Sequence, residues 1–139
     1  MTVQIKHIAM FVKDVDATAD FYGRVFGLKR VVEVEPPAEF KMRAVNVTDD
    51  AGHAITMIQP DDVDRYREWR YETWGVNHIG FAVDDLEVTL AQLREEGVEG
   101  IEVVEVEGQP VAKFRDLNGT EIDVADARYL VWNMDHHLS

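Results

Sequence analysis

The stretch IKHIAMFVKDVDAT at residues 5–18 returns as VNHIGFAVDDLEVT at residues 76–89, an offset of 71. His7/His78, Ile8/Ile79, Val12/Val83, Asp14/Asp85 and Thr18/Thr89 are identical in the two copies. Ile5/Val76, Val15/Leu86 and Asp16/Glu87 are similar in character. Self-similarity at a fixed offset is the signature of a duplicated structural unit.

Each copy continues in the same order. In the first, residues 3–12 read as a strand and Asp14 as a helix N-cap. Ala17, Phe21, Tyr22, Val25 and Phe26 form an apolar helical stripe, and Gly27 is its natural stop. Strand-like runs follow at 29–35, 40–48 and 54–59. In the second, residues 76–83 form the strand, and Asp85 caps a helix striped by Leu86, Leu90 and Leu93 that ends at Gly97. Its strand-like runs are 101–107, 111–115 and 121–125. Pro36-Pro37, residues 49–52, Gly108 and residues 116–119 are turns. Each copy is therefore βαβββ, and the fold class is α+β with two tandem βαβββ modules.

The predicted boundaries are a single domain over residues 1–127, with modules 1–60 and 76–127, a linker 61–75 and a C-terminal tail 128–139. The linker carries Tyr66, Trp69, Tyr71 and Trp74, read as a connection whose aromatics pack on a sheet edge. Trp132, His136 and His137 fall in the tail, where no metal role is expected.

Composition narrows the chemistry. The 139 residues carry 14 basic and 27 acidic groups, a formal charge of -13. Nucleic acid and anionic membranes need a basic footprint, so neither is an expected partner. Residues 1–60 carry 7 basic and 8 acidic groups, net -1, which leaves 7 basic and 19 acidic, net -12, for residues 61–139. With no cysteine, disulfides and thiolate chemistry are out. Ser139 is the only serine and sits at the chain end, which argues against a Ser-His-Asp hydrolase. With no leader or apolar span visible, a cytoplasmic location is expected.

Strand alternation sorts the faces. Ile8, Met10 and Val12 share one face of the first strand, and Ile79, Phe81 and Val83 the matching face of the other copy. The opposite faces carry His7 and His78, each followed by small residues. The last strands match at an offset of 67, which pairs Thr56 with Asp123. Thr56, Glu121 and Asp123 are then expected on the histidine faces. Two histidines and a carboxylate with open positions suit Fe(II), and also Mn, Co or Ni.

IKHIAMFVKDVDATADFYGRVFGL, VNHIGFAVDDLEVTLAQL and KFRDLNGTEIDVAD together resemble the vicinal oxygen chelate superfamily. That group includes glyoxalase I, extradiol dioxygenases, methylmalonyl-CoA epimerase, fosfomycin-resistance proteins and bleomycin-binding proteins. The resemblance spans residues 4–126. It implies an incomplete barrel around a central cleft, with a divalent metal held at positions 7, 56, 78 and 123. Here those positions are His7, Thr56, His78 and Asp123. Thr56 is no strong ligand, so the implied set is His7, His78 and Asp123, with Glu121 as an alternative carboxylate. The implied ion is Fe(II), with Mn, Co, Ni or Zn as alternatives. Relatives often assemble in pairs, so a homodimer is implied.

Three functions follow. The first is a metal-dependent enzyme on a small substrate that chelates the ion through vicinal oxygens, with dioxygenase-like chemistry ahead of lyase or isomerase chemistry. Glu121 and His53 are its candidate bases, and Thr56, Arg43 and Arg115 its candidate cleft residues. The second is a non-catalytic small-molecule or antibiotic binder with a degenerate metal site. The third is a scaffold with a relic cavity.

Overall fold

The computed structural model describes residues 4–31, 36–70, 72, 74–106 and 108–128. The chain forms two compact units, Met1–Arg67 and Glu68–Ser139. In the first unit, β1 (His7–Phe11) leads to α1 (Val15–Phe26), β2 (Lys29–Arg30), β3 (Met42–Thr48) and β4 (Ala54–Pro60). In the second, β5 (His78–Val83) leads to α2 (Leu86–Glu95), β6 (Glu102–Val106), β7 (Gln109–Arg115) and β8 (Glu121–Asp126). The sheets have equivalent orders, β1-β4-β3-β2 and β5-β8-β7-β6. In each, the first strand runs parallel to the last, and the other neighbours are antiparallel. Both units are βαβββ, and the α+β class holds.

The helices begin where the sequence offers caps. Asp14 accepts from the Ala17 N–H, and Asp85 from the N–H groups of Glu87 and Val88. Gly27 ends α1 in the left-handed conformation at φ 69°, which glycine adopts without a Cβ penalty. The buried stripe of α1 is Val15, Thr18, Ala19, Phe21 and Tyr22, packed on the β3 and β4 face that carries Val45, Val47, Ile55 and Met57. Leu86, Leu90 and Leu93 of α2 complete the second core with Ala112, Phe114, Ile122 and Val124. Burying side chains of this size stabilises by about 1.5–3 kcal/mol each.

The turns before the last strands repeat as well. Asp49 Oδ1 accepts from the N–H groups of Ala51 and His53. Asp116 Oδ1 accepts from those of Asn118 and Thr120. These carboxylates close the hairpins locally and set the register of the strands beyond.

Several expected strands are shorter than the apolar runs that suggested them. Residues 38–40 form a 3₁₀ turn, so Phe40 is not in a strand. Pro36-Pro37 lack amide donors for a ladder, and Lys41 leaves the turn at φ 49° before β3 begins. Residues 32–35, Tyr71, Trp132, His136 and His137 lie outside the described residues. In the linker, Val63–Arg65 is a 3₁₀ turn. Tyr66 packs on Phe11 at 4.6 Å between ring centroids, while Trp74 is 99% exposed. Among the described residues, no helix is long and apolar enough to cross a membrane.

Candidate functional site

Register assigns the side chains to faces. In the second unit His78 pairs with Glu121 and Gly80 with Asp123 across β5 and β8. Asp123 pairs with Lys113, and Glu121 with Arg115, across β7 and β8. Directly opposed residues share a face, so His78, Glu121, Asp123, Lys113 and Arg115 stand together on the face away from α2.

The two carboxylates of the cluster are buried, Lys113 is half-buried, and His78 and Arg115 are exposed. Asp123 is 4% exposed and Glu121 7%. A buried carboxylate is costly without a counter-charge. Lys113 supplies one: its Nζ donates to both Asp123 oxygens, at 2.9 Å to Oδ1 and 2.8 Å to Oδ2. These are charge-assisted bonds of ordinary length. His78 Nε2 lies 3.2 Å from Asp123 Oδ2. Its Nδ1 lies 2.8 Å from Asn77 Oδ1 and 3.9 Å from Glu121 Oε2. Nδ1 is thus the nitrogen on the Asn77 side, and Nε2 is the one that faces Asp123.

Beside this cluster is a half-open cavity of about 320 Å³, lined by Glu99, Glu102, Lys113, Arg115 and Glu121 among others. The Arg115 guanidinium carbon stands 5.0 Å from the Trp69 ring centroid. That stacking orders the cation at the cavity wall.

The first unit carries the equivalent positions with different chemistry. His7 pairs with Ala54, Ala9 with Thr56, and Thr56 with Asn46, all on the face away from α1. Thr56 donates to Asn46 Oδ1 at 2.6 Å. At the offset of 67, Asn46 and Thr56 correspond to Lys113 and Asp123. A neutral hydrogen-bonded pair thus takes the place of the ion pair.

Two expected site residues are placed elsewhere by the strands. Arg43 is opposite Gln59, on the helix-bearing face, and donates to Asp16 of α1 at 2.9 Å. Arg43 first, and Arg30 second, hold the Asp16 carboxyl below its usual range. Arg43 is therefore a clamp between sheet and helix rather than a cleft residue. His53 sits in the exposed β3–β4 turn, with Nδ1 3.1 Å from Asp49 Oδ2. Burial pushes the Asp49 carboxyl up, but the His53 N–H and imidazole outweigh it and the net shift is downward. His53 thus braces a turn, which leaves Glu121 as the expected base that stands on the strand face. Lys113, Asn46 and Asn77 carry no signal of their own in the sequence. Cross-strand register, centred on the 116–119 turn, is the signal that pairs position 113 with position 123.

The description "Glyoxalase/Bleomycin resistance protein/Dioxygenase superfamily" matches residues 4–124, most of the chain. The chain belongs to this superfamily. No curated protein matches it. Among solved structures it is similar to a glyoxylase/bleomycin resistance protein/dioxygenase domain from Frankia sp. EAN1pec, at 17% identity and a TM-score of 0.77, covering 90% of this chain and 92% of that one. It is similar to the trypanothione-dependent glyoxalase I of Leishmania major, at 18% identity and a TM-score of 0.77, covering 96% and 94%. It is also similar to a genomically encoded fosfomycin resistance protein from Listeria monocytogenes, at 19% identity and a TM-score of 0.69, covering 96% and 100%. Likeness at these identities establishes the superfamily fold.

Superfamily membership raises the question of a divalent metal at His7, His78 and Asp123 or Glu121. Within the second unit, the side chains do not fit that ion as arranged. Among the described residues, no three His, Asp or Glu side chains group to hold one. Both Asp123 oxygens are engaged by the Lys113 ammonium. A dication about 4 Å from an ammonium is repelled by roughly 8 kcal/mol at an effective dielectric near 20. Thr56, at the fourth position, is committed to Asn46.

Proposed function

We propose that the chain recognises a small oxygen-bearing molecule on the open face of its second unit, without a resident metal ion. The observation that carries this reading is the Lys113–Asp123–His78 cluster beside a cavity of about 320 Å³. The cavity volume lies at the lower end of small-ligand sites. Arg115, ordered by Trp69, faces it as a donor for a carboxylate or paired oxygens. A lining that sets Lys113 and Arg115 among Glu99, Glu102 and Glu121 suits a polar ligand more than an apolar one. This is the small-molecule-binding form of the superfamily, with antibiotic binding among its options. The same reading includes a homodimer in the cytoplasm.

Titration of the intrinsic fluorescence of Trp69 tests the site, with Trp69→Phe as the blank. The probes are a panel of 2-hydroxy acids, 2-oxo acids, catechols and phosphonates. A saturable change that weakens about tenfold or more in Arg115→Ala supports the site, since such a donor contributes roughly 1.5–3 kcal/mol. Saturation that is indifferent to Arg115→Ala refutes it.

A second reading, a metal-dependent enzyme of the glyoxalase or extradiol dioxygenase type, draws on one observation. His78 Nε2 faces a buried carboxylate at 3.2 Å, and His7 stands at the repeat-equivalent place in the first unit. Elemental analysis of purified protein separates the two. One equivalent of Fe, Mn, Co, Ni or Zn that disappears in both His7→Ala and His78→Ala favours the enzyme.

A further inference from the structure

We infer that Lys113 is the resident cation of the second unit's site, built into the strand where the superfamily implies a metal ion. The inference rests on the small-molecule reading for its ligand, but its chemistry is independent of any ligand's identity.

Three observations lead to it. Lys113 is the direct cross-strand neighbour of Asp123, so the pair forms at every closure of the β7–β8 hairpin without a long-range search. Its ammonium reaches both carboxylate oxygens, at 2.9 and 2.8 Å, and so engages the donor atoms an ion would need. His78 Nε2 closes on the same carboxylate from β5 at 3.2 Å, so imidazole, carboxylate and ammonium form one connected group. The first unit supplies an internal comparison. Its equivalent pair, Thr56 and Asn46, is neutral and joined by a bond of 2.6 Å, so positive charge at this register is particular to the second unit.

The role follows from the chemistry of an ammonium. It neutralises Asp123 and keeps a third N–H for a ligand oxygen, in a lining that also carries Glu99, Glu102 and Glu121. It binds no substrate oxygen by coordination and carries no redox state. Lys113 thus offers a ligand oxygen a hydrogen bond in place of coordination, which makes recognition insensitive to chelators.

Isothermal titration of chelator-treated protein with Co(II), followed by the visible Co(II) spectrum, tests this directly. Wild type is expected to bind no stoichiometric ion. Lys113→Met removes the charge and frees Asp123, and it should gain Co(II) affinity by about tenfold or more, consistent with relief of cation repulsion. Lys113→Gln keeps a donor toward Asp123 and guards against loss of fold, with the same direction of change. Lys113→Arg keeps the charge and should stay ion-free. The gained site should vanish when His78→Ala is added to Lys113→Met. Stoichiometric Co(II) binding by wild type that is lost in Asp123→Asn overturns the inference, as does an unchanged affinity in folded Lys113→Met and Lys113→Gln. A failure of the small-molecule reading shows instead in the Trp69 titration and leaves these ion titrations as they are.

Discussion

Gln59 and Asp126 anchor the two helices in the same way. Gln59 Oε1 accepts the backbone N–H of Val15 at 2.9 Å, and Asp126 accepts that of Leu86. Each acceptor stands near the end of the last strand of its unit, and each donor is the first residue of a helix. An otherwise unpartnered amide of the helix N-terminus is thereby tied to the sheet. The second unit uses a charged acceptor, which the N-terminal dipole also favours.

That difference makes the second unit pH-sensitive. The Arg128 side chain, with its backbone N–H, lowers the Asp126 carboxyl from 3.8 to about 2. A depressed carboxylate stabilises the fold above its unfolded value and loses that contribution as pH falls through the folded one. Thermal melts should therefore show a stabilising component, complete above about pH 4, that fades toward about pH 2. Arg128→Ala should flatten that part of the profile. An identical slope in wild type and variant would show that Asp126 is not its source.

Thr56 and Asn46 offer a hydrogen-bond cycle. Thr56→Val removes the donor to Asn46 Oδ1 and leaves a half-buried acceptor unsatisfied. The expected cost is about 1–3 kcal/mol in chemical denaturation. Adding Asn46→Leu removes the stranded group, and the double variant should recover most of the loss. Simple additivity of the two would show that the bond contributes little.

Core truncation should be severe in either unit. Met57 and Leu93 are fully buried on the helix-facing sides of their units. Met57→Ala and Leu93→Ala should each cost about 2–5 kcal/mol, measured as a fall in the denaturation midpoint. A loss under about 1 kcal/mol would mean that the site collapses around the gap.

The two arginines of the third strands should separate cleanly. Arg115→Ala is expected to weaken ligand binding, whereas Arg43→Ala should leave Kd within about twofold. Arg43 spends its guanidinium on Asp16, away from the open face. Equal losses of affinity in both variants would contradict the face assignment.

The repeat made the architecture legible because it appears twice, and each copy checks the other. His7 and His78, Asp14 and Asp85, and the half-buried faces of β1 and β5 all follow from spacing. The partners of Asp123 did not, because alternation reports a face and not a neighbour. Lys113 meets Asp123 only through the register that the Asp116 turn imposes. Arg43 was misplaced for a related reason. Its strand begins at Met42, and counting from buried Val45 and Val47 puts Arg43 on their side. At the offset of 67, Arg43 corresponds to Pro110 and Arg115 to Thr48, so the two arginines are not counterparts. His53 lacked a histidine counterpart because Thr120 fills that turn position.

The pairing of first with last strand has a consequence for how the chain is made. His7 lies against Ala54, 47 positions later, and His78 against Glu121, 43 later. Neither β1 nor β5 acquires its sheet neighbour until nearly all of its unit has left the ribosome. Until then each waits as an open edge, and such long-range closure is slow compared with helix or hairpin formation.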